Sequence, residues 1–213
     1  MKVLKSSMFA AALVAMVAVP ASAATITYVD LGTAAPPATV GGHAMTPFGD
    51  DVRGTGANVN DVASPLGGVL GFSLSMLHLE VGGGWSTWSH GYTGDVYYSN
   101  QATSVTLTLP ALTSAFYFYG EPAPFSTFTM TATAADGTTS GAIPVAGSAG
   151  AHGFAFYSDA PLTTIQFSCS GCDFAVGEFG ISSGAAAVPE PASMILLGSG
   201  IAALAARRRR ARQ

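Results

Sequence analysis

Short stretches of strict alternation run through residues 24–183 and leave almost no room for a helical period. In 104–109, Val105, Leu107 and Leu109 share one face while Thr106 and Thr108 share the other. In 127–133, Phe128, Met130 and Ala132 oppose Thr127, Thr129, Thr131 and Thr133. A period of two is what a half-buried strand requires, because successive side chains point to opposite faces. Similar runs occur at 24–31, 75–81, 96–99, 114–119, 153–158, 163–168 and 174–181, separated by Gly and Pro breakers. Asp136-Gly137 is a favoured hairpin turn between two of them. Strands spaced by roughly ten residues predict a mainly β chain, an antiparallel β-sandwich of jelly-roll-like form with a Phe-rich core. Residues 32–70 are less regular and read as a long loop or an edge-covering segment.

The two ends have a different composition. Lys2 and Lys5 precede an apolar stretch at 8–19, and Pro20-Ala21-Ser22-Ala23 offers the small-x-small pattern of a secretory cleavage site before Ala24. Residues 1–23 are therefore predicted to be a signal peptide and 24–183 one exported domain, joined by a linker at 184–188 to a tail at 189–213. Val188 leads into Pro189-Glu190-Pro191, after which the tail continues as an uncharged run at 192–206 and then carries Arg207, Arg208, Arg209, Arg210 and Arg212. Two prolines fix two φ angles and remove two amide donors, so an extended, protease-accessible segment abuts the apolar run. That run is shorter than the ~20 residues a bilayer requires, and arginine stems that snorkel extend its reach. Arginines on one flank predict a transmembrane sorting helix with a cytoplasmic C-terminus and the domain outside.

Pro-Glu-Pro, apolar helix and basic cluster together resemble the PEP-CTERM sorting signal. The strings at 88–98, 115–119 and 174–181 are similar to those of a group of PEP-CTERM exported proteins that brings no activity with it. The resemblance implies export through the Sec translocon and signal peptidase, transient anchoring in the inner membrane, and processing by an exosortase near Pro189, Glu190 and Pro191. It further implies delivery to the cell surface or an extracellular, biofilm-type matrix, where exopolysaccharide is the expected partner.

With both ends set aside, Arg53 is the only Lys or Arg facing eleven carboxylates, a net charge of about −10. No basic patch exists to neutralise phosphates, which excludes nucleic acid as a partner. Asp50, Asp51 and Asp61, with Asn58 and Asn60 in a Gly-rich stretch, offer the oxygen ligands that Ca²⁺ takes, although Asp and Asn there also suit plain turns. No other cofactor is expected.

Catalytic signals are weak. There is no Gly-x-Ser-x-Gly elbow, and His43, His78, His90 and His152 are isolated. His78-x-Glu80 with Cys169-x-x-Cys172 departs from the zinc-deaminase pattern. In an oxidising compartment, Cys169 and Cys172 read instead as a disulfide. Glu80, Asp95, Glu121 and Glu178 include conceivable glycosidase pairs that spacing cannot reveal. The strongest segment is 82–95, a Gly-rich loop holding both tryptophans. Trp85, Trp88, His90, Tyr92 and Asp95 suit sugar rings, which have apolar faces and polar edges; the alternative is that the tryptophans plug one end of the sandwich. The expectation is a non-enzymatic structural or carbohydrate-binding protein. The alternatives are a secreted polysaccharide hydrolase, and a calcium- or ice-interacting module using the threonine ladder at 127–133.

Overall fold

The alternating runs form antiparallel strands in the computed structural model, which describes residues 25–184. The signal-peptide residues Ala21, Ala23 and Ala24, the linker beyond Gly184 and the whole tail lie outside the described residues. In chain order the strands are β1 (Ile26–Gly32), β2 (Thr39–Val40), β3 (His43–Ala44), β4 (Thr46–Pro47), β5 (Asn58–Ala63), β6 (Val69–Glu80) and β7 (Asp95–Tyr98). They continue as β8 (Ser104–Thr108), β9 (Thr113–Pro122), β10 (Thr127–Ala134), β11 (Ile143–Ala146), β12 (His152–Ser158), β13 (Thr164–Cys169) and β14 (Phe174–Ser183). Among the described residues there is no helix.

One sheet carries nearly all of them, in the order β1-β12-β9-β14-β7-β6-β8-β13-β10-β11, with β4 added to β14 and β5 to β6; β2 and β3 form a separate pair. Long β6 joins the two halves. Its start pairs with β8 through Gly71 and Phe72, and its end pairs with β7 through residues 77–80. The halves close on a phenylalanine core. Phe167 of β13 meets Phe118 of β9 edge-on at 5.1 Å, Phe154 of β12 at 5.2 Å and Phe174 of β14 at 5.0 Å. Each such ring removed from water contributes about 1.5–3 kcal/mol.

Within the half built on β1, β12, β9, β14 and β7, the strands inside the edge strand β1 are buried on both faces, where alternation predicted one. β9 is buried at every position. Phe116 and Phe118 face the inner core, while Ala115, Tyr117 and Tyr119 belong to a second cluster with Val40, Trp85 and Trp88. Residues 33–50 and 81–94 supply the cover. Small residues make the close approach possible: a Cβ at Gly180 would lie 2.1 Å from ring carbons of Tyr117. The irregular stretch at 32–70 is also more ordered than a loop. β5 pairs with β6, and a bulge between Val59 and Asp61 interrupts the period of two that would have marked it.

Both ends of the described chain emerge together. Thr27 pairs with Tyr157, Tyr157 with Ala115 and Ala115 with Ser182, so Thr27 and Ser182 share one row three strands apart, about 14 Å. Pro122 of β9, His152 of β12 and Phe174 of β14 lie at the opposite end.

Candidate functional site

Three glycines after β6 turn the chain back across the outer face. Gly82 has φ 84°, and the turn closes through Gly83 and Trp85 amides donating to the Glu80 carbonyl, both at 3.0 Å. His90 (φ 41°) and Gly91 (φ 81°) turn it again toward β7. Trp85 and Trp88 are thereby laid against the sheet, 9% and 5% exposed. A sugar platform needs an open ring face; Trp88 is covered, and Trp85 keeps only a small exposed area, toward a neighbouring cleft. Trp88 covers the outer face at Glu178, while Trp85 packs near the end of the sandwich, where Glu121 lies beside the last residue of β9.

Each indole N–H instead meets a carboxylate that comes from far along the chain. Trp85 Nε1 donates to Glu121 Oε2 at 2.7 Å, and Trp88 Nε1 donates to Glu178 Oε2 at 3.0 Å. Glu121 has no exposed surface and also accepts from the Gly150 amide at 3.1 Å and from Thr87 Oγ1 at 3.3 Å. Glu178 Oε1 pairs with His90 Nε2 at 2.7 Å. It sits at φ 51° in a bulge of β14, which turns its side chain onto the outer face. Burial pushes both carboxyls above the ordinary glutamate range, and the surrounding donors hold them part of the way back.

A second polar chain ties the sheet to residues 50–61. His78 is 1% exposed; its Nε2 pairs with Asp95 Oδ1 at 2.8 Å, its ring stacks on Tyr97, and its Nδ1 has no partner. Asp95 Oδ2 accepts the Asp51 amide at 2.6 Å. Asp51 in turn accepts from Tyr97 Oη at 3.0 Å and from the Arg53 guanidinium at 2.7 Å, while Arg53 Nη1 reaches Asp61 at 3.0 Å. Arg53 hydrogen bonding pulls the Asp51 carboxyl down to about 2.

Two of the three calcium candidates, Asp51 and Asp61, are therefore already joined by a guanidinium, and Asp50, exposed, borders one cavity with Asp51, Arg53 and Asp61 and another with Asp95 and Glu178. Among the described residues, no three His, Cys, Asp or Glu side chains are grouped to hold a metal ion. Cys169 and Cys172 are bonded across the turn from β13 to β14, with Cα atoms 5.4 Å apart.

Two cavities flank the layer. One, of about 180 Å³, is lined by Asp50, Tyr92, Asp95, Tyr97, Tyr117 and Glu178. The other is an open cleft of about 420 Å³ bordered by Trp85, Ser86, Thr87, Tyr98, Glu121 and Phe125. Phe125 is 69% exposed, and the cleft lies at the end of the sandwich opposite Thr27 and Ser182. Of the five residues singled out in 82–95, Tyr92 and Asp95 reach the smaller cavity and Trp85 the cleft. Trp88 and His90 meet at Glu178. Tyr98, Tyr117 and Phe125 were not foreseen. The signal for the two glutamates was present, since Glu121 and Glu178 are lone acids inside otherwise apolar strands.

Residues 187–210 match the PEP-CTERM protein-sorting motif. The motif implies an exported protein sorted at the membrane by an exosortase, and it says nothing of the activity of the preceding domain. No curated protein and no solved structure matched the chain.

Proposed function

We propose, with the PEP-CTERM motif as premise, that this exosortase-sorted protein is a non-enzymatic component of the cell surface or its exopolysaccharide matrix, binding neutral glycan in the cleft at Phe125. The observation that carries this reading is the cleft's position. It opens at the end opposite Thr27 and Ser182, so a domain tethered through the segment that follows β14 presents the cleft outward. An exposed Phe125 ring beside Tyr98, Ser86 and Thr87 combines an apolar face with hydroxyls, which is the pairing a pyranose needs. The acidic domain disfavours anionic polysaccharide. A catalytic role finds less support: Glu121 borders the cleft while Glu178 borders the other cavity, so the two raised carboxyls do not converge on one bond. No cofactor enters this reading.

The test is a glycan array probed with the full-length chain, with and without Ca²⁺. Retention of neutral glycans that is lost in Phe125→Ala, at unchanged melting temperature and without Ca²⁺ dependence, is expected. Absence of retention, or retention indifferent to Phe125, overturns the glycan reading.

A further inference from the structure

We infer that the smaller cavity, between residues 36–50 and the 92–97 strand entry, is a binding site for a protonated amine. Its volume, about 180 Å³, falls below the ~300 Å³ at which pockets for whole small molecules begin, yet leaves room for several waters. It therefore takes a head group whose remainder stays outside.

The walls select the charge of that group. Asp50 stands exposed on the rim, with Asp95 and Glu178 deeper, and neither Lys nor Arg lines the cavity. The inner carboxylates are held by N–H donors that fix their positions: the Asp51 amide and His78 ring on Asp95, the Trp88 indole and His90 ring on Glu178. The rings of Tyr92, Tyr97 and Tyr117 complete the enclosure, and aromatic faces attract a cation through their quadrupoles.

Tyr117 supplies an observation independent of the acids. It is 3% exposed and lines the cavity, and its hydroxyl has no hydrogen-bond partner among the described residues. The other two hydroxyls are engaged, Tyr92 with the Asp95 carbonyl at 3.1 Å and Tyr97 with Asp51. Burial and nearby Glu178 push the Tyr117 phenol up to about 12, so it stays neutral and keeps an oxygen free to accept an ammonium N–H. That hydroxyl keeps contact with the cavity space, and an R–NH₃⁺ group there would donate to it while meeting the carboxylates. The amine has two sources, a de-acetylated amino sugar within a polysaccharide or a free alkylamine.

The site is separate from the Phe125 cleft, and its test is separate too. The full-length chain is titrated with methylammonium, glucosamine, N-acetylglucosamine and sodium chloride, following intrinsic fluorescence and ligand NMR. Saturable binding of the two amines, and none of N-acetylglucosamine, is expected. Asp50→Asn and Tyr117→Phe each weaken it about fivefold, the size of one partly exposed charge contact, at unchanged unfolding midpoint. Glucosamine binding at least about tenfold tighter than methylammonium, a gain of ~1.4 kcal/mol from the ring, identifies a sugar source; equal binding identifies a free amine. Failure of both amines to saturate, equal binding of N-acetylglucosamine, or indifference to both substitutions overturns the inference. If that happens while neutral glycans are still retained through Phe125, the glycan reading stands alone.

Discussion

The indole N–H of Trp85 donates at 2.7 Å to Glu121, a glutamate with no exposed surface. Trp85→Phe keeps an apolar ring but removes the donor, so it is expected to cost about 1–3 kcal/mol in urea denaturation. Recovery of native stability in Trp85→Phe would show that the hydrogen bond contributes nothing.

The two raised carboxyls make stability depend on pH above the ordinary glutamate range. A carboxyl whose folded pKa lies above its unfolded value binds more protons in the folded state, so stability falls as pH rises past about 4.5 and levels off above the folded pKa. Glu121→Gln is expected to shrink that fall, and Glu121→Gln with Glu178→Gln to abolish it. Unfolding midpoints measured from pH 4 to 8 check the sign, and an unchanged slope in the double variant refutes it.

Asp51 acts in the opposite sense. Arg53 holds its pKa at about 2, below the unfolded 3.8, so its contribution is complete above pH 3.8 and is lost as pH falls toward 2. Arg53→Met is expected to cost on the order of 2 kcal/mol at pH 7, between the exposed and buried limits for ion pairs. Arg53→Lys should rescue little, because the guanidinium fork reaches Asp51 and both the carboxylate and the carbonyl of Asp61.

Gly180→Ala places a Cβ 2.1 Å from the Tyr117 ring, and overpacking of that kind costs about 1–3 kcal/mol. Gly49→Ala, with open space around it, serves as the silent control in the same thermal melts.

Replacing Pro189, Glu190 and Pro191 with alanine is expected to leave residues 192–213 attached in an exosortase-bearing host. Intact mass of the exported chain reads this directly, and normal trimming of the variant would separate processing from the matched motif.

Where one face of a strand meets solvent, alternation was enough to find it. β8 and β10 lie where Val105-Thr106-Leu107 and the threonine ladder predict, and Asp136-Gly137 turns the chain after Ala134. β5 escaped because its bulge breaks the period, and β11 because four residues containing Pro144 carry too little pattern. The double burial of β9 had a trace in its Phe/Tyr alternation, which supplies apolar surface to both sides. Within the site, the Gly-rich loop and its tryptophans were legible as a unit. Their acceptors were not, since Trp85 meets a residue 36 positions away and Trp88 one 90 positions away.

The common exit of Thr27 and Ser182 has a mechanical consequence. Tension between the tail and a ligand held near Phe125 would run lengthwise along β9, β12 and β14. Ladder hydrogen bonds lie crosswise to their strands, so such a load shears many of them at once instead of peeling them singly, the orientation in which a sheet yields least readily.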